Sequence, residues 1–397
     1  MSRVMIIGTG NVGTVTALKC AKQRNVFSGI VLANRTLQKA LALRDRIGDP
    51  KIAAVSVNAD DSRDVARLIE NFAIDLVINT ALPAQDVPIM AACAQTGASY
   101  IDTANSERRD KIEFNYLAQL AFDKQFRDKG ATAILGCGSD PGFASVFVAY
   151  AKKHLFDRID KVDIMDADNS RNGKLMAFNL NAAVKIRELL HPARYYEAGS
   201  WKTAESFSIQ RVFSYPEIGE QPVYLIDHEE LEPLAAHFSE IRTLRFWMSF
   251  SSAFIENLRL LQAIGLTSIE PVRFDGMEIR PLEFLEAMFR QSGLIVPETV
   301  GQTWIGCQIS GTKNGCQREC LIYNVCDHEK CQREVGLNAV PFTAGVPPMI
   351  GAKLMLSRVW HRPGVFTVDQ FDPDPFLEEM ARAGLPWEVK ITDSEIC

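Results

Sequence analysis

The hexapeptide Gly8-Thr9-Gly10-Asn11-Val12-Gly13 restricts what this chain can fold into more than any other feature. A bare G-x-G-x-x-G is weak evidence. This one directly follows the β-branched run RVMII at the N-terminus and opens the helical pattern NVGTVTALKCAKQ. Strand, glycine turn and helix in that order make a dinucleotide-binding unit. The first glycine permits the tight turn and the second lets the backbone approach a pyrophosphate. The third allows helix and strand to pack closely, with the helix N-terminus facing the anion. Gly8, Gly10, Asn11, Val12 and Gly13 are therefore assigned to cofactor binding.

The alternation continues. GIVLAN, KIAAVSV, DLVINTAL, SYIDTA and ATAILGCG read as strands. Between them lie the helical patterns TLQKALALRDRIG, DSRDVARLIENF and DVPIMAACAQTG, and a long charged helix near Lys111 to Lys129. Strands apolar on both faces and separated by helices of this length predict βαβ units and a covered parallel sheet. Beyond Tyr150 the segments KVDIMDAD, FSIQRVFSY, PVYLID, LRFWMSF, WIGCQISGTK and CLIYNVC are less regular and richer in β and aromatic residues. They predict an α+β domain with a mixed or antiparallel sheet. GVPPMIGAKLMLSRVW then returns to a helical pattern, and FDPDPFLEEMARAGLPWEV to a turn and a helix. The fold class is α/β: a Rossmann doubly wound parallel sheet over residues 1–140 and an α+β domain over 141–343. A C-terminal segment, 344–397, is expected to dock back on the first domain.

In NAD-binding units an acid stands ~20 residues beyond the glycines, at the end of the second strand, and grips the ribose. Here that place holds Asn34, Arg35 and Thr36. An acid would repel a 2′-phosphate, whereas Arg35 attracts one and Thr36 can donate to it. The cofactor expected is NADP(H). Other strand ends should face the same ligand. Asp60 is read as capping the next helix near the adenine. Thr80, Ala81, Leu82 and Pro83 should pass the nicotinamide ribose, with Asp102 and Gly138 nearby. Asp140 before Pro141 fits an N-cap followed by a proline at the first helical position, and equally a substrate contact.

Charge and cysteine usage exclude several classes. The net charge of -6, with no basic stripe, argues against nucleic acid and anionic membranes. No apolar stretch approaches the ~18 residues of a membrane span, and the N-terminus meets glycines too soon for a signal peptide. Nine scattered cysteines point to reduced thiols in a cytoplasmic protein rather than a disulfide framework. Cys316, Cys320, Cys326 and Cys331 surround Asp327 and His328 but include no CxxC pair, so no metal is expected. Asp327 and His328 fit a pocket wall, or a turn after the strand LIYNV. Asp227-His228-Glu229-Glu230 fits a variant capping box at a solvated helix start, and also an acid–base cluster of a histidine beside carboxylates. Arg194 and Arg245 are candidate carboxylate anchors.

The stretches VINTALPAQDVPIMAAC, YIDTAN, DPGFASVFVAYAKKHLFD, YPEIGE, HEEL, RFWMSF, YNVCDHEKC, TAGVPPMIGAK and FDPDPF resemble the saccharopine dehydrogenase superfamily. Within it they are similar to the carboxynorspermidine (carboxyspermidine) dehydrogenases, also called carboxynorspermidine synthases, over nearly the whole chain. The resemblance implies that the α+β domain binds substrate and forms a homodimer. It implies that NADPH reduces the imine formed from L-aspartate β-semialdehyde and a diamine, giving a carboxylated triamine for polyamine synthesis. The partners implied are thus small aldehyde and amine substrates. Asp140 and His228 become the catalytic candidates; Asn105, Asp140, Pro141, Asn181, Glu229 and Asp327 become substrate-binding candidates. The chain departs from the family pattern in three places. Asn179-Leu180-Asn181-Ala182-Ala183 stands where the family reads roughly N-F-N-P-E, so the glutamate is Ala183. Asn172-Gly173 replaces a His-Gly pair, and Ser139 replaces a Phe before Asp140. All three lie on the substrate side. They leave open another amine such as agmatine, a saccharopine-type substrate, or a non-catalytic NADP-binding protein.

Overall fold

A computed structural model describes residues 2–106, 115–170, 181–291 and 299–393. β1 (Ser2–Ile7) runs into the glycine turn and α1 (Asn11–Ala21) leaves it. β2 (Phe27–Asn34), β3 (Ile52–Ser56), β4 (Leu76–Asn79), β5 (Ser99–Ile101) and β6 (Thr132–Leu135) follow. They lie in the order β3-β2-β1-β4-β5-β6, all parallel, which is the doubly wound arrangement. Val4, Met5, Ile6 and Ile7 are buried, as a sheet covered on both faces requires. The charged helix expected near Lys111 to Lys129 is not continuous. Residues 107–114 lie outside the described ones, and the rest forms two short helices, Leu117–Leu120 and Asp123–Lys129. Gln119, within the first of them, turns inward and donates to Asp102 at 2.6 Å.

The chain returns to this sheet late. The strand Gly364–Thr367 pairs parallel with β6 and extends the sheet to seven strands. The helix Ala339–Leu356 packs on α1 so closely that a Cβ on Gly345 would stand 2.7 Å from both the Val12 carbonyl oxygen and Val15 Cβ. Thr16 Oγ1 donates to the Gly345 carbonyl at 2.8 Å. Met349 and Leu354 are buried in the same core cluster as Val4, Ile6 and Leu32. By length and composition this helix is apolar enough to cross a membrane, contrary to the expectation that no stretch approaches that length, and 78% of it is buried inside the fold.

The second sheet has nine strands and is mixed. Arg158–Asp168 lies at its centre, parallel to Thr243–Ser249 on one side and antiparallel to Gln302–Lys313 on the other. The segment 344–397 does not belong wholly to the first sheet. Its last strand, Trp387–Asp393, pairs with Cys316–Asp327, placing Val389 opposite Ile322 and Ile391 opposite Cys320. The alternating apolar residues of WEVKI suit such an edge strand. Along the central strand, side chains alternate between faces. Met165, Ala167, Trp247 and Trp304 cluster on one face. Asp166 and Asp168 face the other way, with Ile305 and Met248 beside Asp166, and Thr303 opposite Asp168. Cys20, Cys93, Cys137, Cys307, Cys320, Cys326 and Cys331 are free and buried, while Cys316 is disulfide-bonded, contrary to the expectation of reduced thiols throughout.

Candidate active site

The glycine turn is built for close approach. A Cβ on Gly8 would stand 2.6 Å from the Thr80 carbonyl oxygen, and one on Gly13 1.9 Å from the Gly8 carbonyl oxygen, so neither position admits a side chain. Thr80 Oγ1 closes the turn by donating to the carbonyls of Ile7 and Gly8 at 3.1 and 2.8 Å. Gly10 is different: nothing lies within 4 Å of its notional Cβ. Gly10 is the N-cap of α1, no side chain caps that end, and its first turn carries no acid. Open space over uncapped amide donors fits a pyrophosphate. Asn34 stands behind the loop, where its Oδ1 accepts from the Thr9 amide at 3.5 Å. Arg35 and Thr36 are exposed at the carboxyl end of β2. Asp60 is exposed too, and it is Asp61, not Asp60, that caps the next helix, accepting from the Arg63 amide.

A cavity of about 630 Å³ opens between the glycine turn and the polar face of the mixed sheet. Gly10, Asn11, Val12, Thr80, Ala81, Leu82, Pro83, Asn105, Gly138, Asp140, Pro141, Asn181, His228 and Glu229 all line it, so most of the residues singled out in the sequence converge. Gly8, Gly13, Asn34, Arg35, Thr36, Asp60, Asp102 and Asp327 are not in its wall. Asp102 is buried behind the wall, where it accepts from the Gly136 amide at 2.7 Å and from Gln119 at 2.6 Å. Burial lifts its carboxyl to about 7. It braces the loops that reach the cavity. Asp327 caps the helix His328–Val335 by accepting from the Lys330 amide at 2.8 Å. Its neighbour His328 reaches the cavity indirectly, through Asp168 at 3.2 Å. Cys326 and Cys331 touch at 3.3 Å, and both His328 nitrogens are engaged within the protein.

Asp140 is not an N-cap, since the next helix starts at Phe143 with Gly142 at its cap. Ser139 donates to Asp140 Oδ1 at 2.8 Å, and the buried Oδ2 has no donor. The Asp140 and Asp166 carboxyls are neighbours in the cavity wall and influence each other's ionisation. Burial raises Asp140 to about 6, and burial with the Asp140 charge raises Asp166 well above the carboxylate range. Asp227, His228, Glu229 and Glu230 are all buried, so this segment is not a solvated helix start. His228 stacks on Phe246 at 3.9 Å, with Glu188 at 3.9 Å and Glu230 at 3.5 Å. Burial and the Lys185 charge lower its pKa well below the ordinary value, so the imidazole is neutral and cannot act as a cationic acid. Burial keeps Glu229 and Glu230 protonated well above the usual range. Arg194 and Arg245 do not line the cavity; Arg245 is held by buried Asp163 at 2.7 Å and Arg194 lies over Trp201.

Lys185 and Glu188 were not anticipated. They project into the cavity from the helix Ala182–Leu190, paired at 2.7 Å. Their i, i+3 spacing beyond the N-cap Asn181 was the available signal. Asn181 accepts from the Val184 amide and donates to Glu286 at 2.8 Å. Burial alone would lower Lys185, but Glu188, Asp166 and Asp140 raise it, so its ammonium persists. Ala183 is half-buried against the core and is not in the wall. Asn172, Gly173, Asn179 and Leu180 lie outside the described residues.

Residues 4–134 match the family described as the saccharopine dehydrogenase NADP binding domain, and residues 138–385 the saccharopine dehydrogenase C-terminal domain. The chain is 43% identical over 387 residues to the carboxyaminopropylagmatine dehydrogenase of Synechocystis, covering 98% of this chain and 97% of that protein. It is 37% identical over 399 residues to the carboxynorspermidine synthase of Vibrio cholerae, covering 97% and 96%. The solved apo saccharopine dehydrogenase (L-Glu forming) from Saccharomyces cerevisiae shares the fold, with a TM-score of 0.72 over 99% of this chain and 100% of that one at 14% identity.

Proposed function

The chain belongs to the saccharopine dehydrogenase family of nicotinamide-dinucleotide oxidoreductases, and from that premise we propose that it condenses L-aspartate β-semialdehyde with a cationic amine, preferably agmatine, and reduces the imine with NADPH. One observation carries this reading: the cavity beside the glycine turn is walled by the carboxyls of Asp140, Asp166, Asp168, Glu188 and Glu229, of which burial holds Glu229 protonated, against the single ammonium of Lys185 among the described lining residues. Such a wall suits a substrate with more than one positive charge and one carboxylate. The name of the Synechocystis relative supports a guanidino-capped amine. So does Ala183, which stands where related chains that use short diamines are expected to carry a glutamate. NADPH is preferred because Arg35 and Thr36 hold the place of the ribose-binding acid.

The chemistry follows from the charges. The free amine adds to the aldehyde carbon, and the resulting carbinolamine must lose water. Two neighbouring carboxyls resist ionising together until a cation forms beside them, so Asp140 and Asp166 share one proton before the reaction and titrate as a pair. That pair protonates the leaving hydroxyl, which departs as water. Both carboxyls are then ionised, and the iminium cation formed beside them offsets the second charge. When bound, the dinucleotide supplies the hydride for the iminium carbon. Lys185 holds the α-carboxylate of the semialdehyde, and Glu229 faces its α-ammonium. His228 serves as a neutral, stacked wall of the pocket. The test is NADPH oxidation with the semialdehyde and a panel of diaminopropane, putrescine, cadaverine and agmatine. Turnover only with an α-keto acid in place of the semialdehyde would replace this reading with a saccharopine-type one. Cofactor binding without turnover on any amine would leave a binding protein.

A further inference from the structure

Asp168 lies two residues beyond Asp166 on the same face of the same strand, a span of about 6.6 Å. Its Oδ1 accepts from the Ser170 amide at 2.7 Å and faces His328 Nε2 at 3.2 Å. His328 Nδ1 accepts from the Ala339 amide at 3.1 Å, so the ring proton sits on Nε2 and is donated to Asp168. The carboxylate is thereby fixed in orientation while it lines the cavity. Directly opposite in the ladder is Thr303. It also lines the cavity, is 3% exposed, and its Oγ1 has no hydrogen-bond partner. Phe250 follows the neighbouring strand, two positions after the residue paired with Asp166, and stacks on Phe254 with centroids 5.1 Å apart. Both rings line the cavity.

A fixed carboxylate, an unsatisfied buried hydroxyl and an aromatic face form a set that suits a planar cation. A guanidinium offers edge donors to Asp168 and Thr303 and a face to Phe250; an ammonium has no plane to stack. We infer that Asp168, Thr303 and Phe250 form a guanidinium subsite, and that its two-residue offset from Asp166 makes the strand a ruler for a four-carbon spacer. The inference rests on the reductive-condensation reading, because the Asp140–Asp166 pair marks the imine end.

The experiment compares kcat/KM for agmatine with that for butylamine, which has the same spacer and no distal charge. Asp168→Asn keeps an oxygen for His328 and Ser170 and removes the charge. Thr303→Val keeps the shape and removes the hydroxyl. The agmatine-to-butylamine ratio should fall about tenfold to a hundredfold in Asp168→Asn and about two- to tenfold in Thr303→Val. Unchanged ratios in variants that retain their Tm and NADPH affinity overturn the subsite, as does a wild type that prefers cadaverine to agmatine. If Asp168→Asn does not fold, Thr303→Val decides. If the wild type turns over no amine, the condensation reading fails separately. Calorimetry of agmatine with the NADP-loaded protein then tests the subsite alone: a tenfold or greater weakening in Asp168→Asn sustains it, and equal affinity rejects it.

Discussion

Replacing Lys185 by methionine separates a substrate anchor from a structural counter-ion. Methionine keeps most of the aliphatic stem and removes the ammonium that pairs with Glu188 at 2.7 Å and faces Asp140 and Asp166. If that ammonium holds the semialdehyde carboxylate, a hydrogen bond to a charged group is lost, worth about 1.5–3 kcal/mol. That is roughly a tenfold to hundredfold fall in kcat/KM for the semialdehyde. The KM for the amine should not rise, since the site becomes more anionic. A second readout follows from the proton shared by Asp140 and Asp166. The Lys185 charge lowers both carboxyls. Without it the pair keeps its proton to higher pH. The protonated pair is the active acid, and its fraction falls as pH rises through the pKa, so the descending limb of the kcat–pH profile should move in the alkaline direction. NADPH absorbance at saturating amine, with semialdehyde varied across pH, measures both, and Lys185→Arg should restore part of the semialdehyde affinity. An unchanged semialdehyde KM with an unmoved limb would refute the assignment.

Arg35→Ala should weaken NADPH roughly tenfold to a hundredfold and leave NADH nearly unchanged, from the same charged-bond magnitude, measured by fluorescence titration; equal losses would place Arg35 on a phosphate common to both. Gly345→Ala puts a Cβ 2.7 Å from the Val12 carbonyl oxygen and should cost about 1–3 kcal/mol of stability by denaturant titration, with weaker NADPH binding because α1 is displaced. Ala183→Glu should raise the diaminopropane-to-agmatine ratio of kcat/KM, and an unaltered ratio would show that this position does not read the amine. Asp166→Asn should lower kcat far more than NADPH affinity, since it removes the carboxyl that shares the Asp140 proton.

The glycine turn, the parallel strands and the strand ends around the cavity were legible because they depend on neighbours in the chain. Spacing sets a turn, and alternation or its absence sets which faces are buried. Hence Gly8 to Gly13 and Thr80 to Pro83 stand where their pattern required. Asp140 stayed ambiguous because Asp-Pro is also a local capping signal; only the strand Arg158–Asp168, arriving from the second sheet, sets a second buried carboxyl, Asp166, beside it. Asp227 to Glu230 read as a solvated helix start because burial is set by elements far away in sequence. Asp102 read as a strand-end residue beside the nicotinamide ribose, but Gln119 and Gly136 close over it. Lys185 and Glu188 carried only a helical spacing until the fold set them against Asp140 and Asp166. The last strand kept its alternation, yet its partner, Cys316–Asp327, could be chosen only by the completed sheet. Local chemistry thus determined the glycine turn. Long-range packing decided which charges share one low-dielectric cavity, and charge and protonation there depend on all of them together.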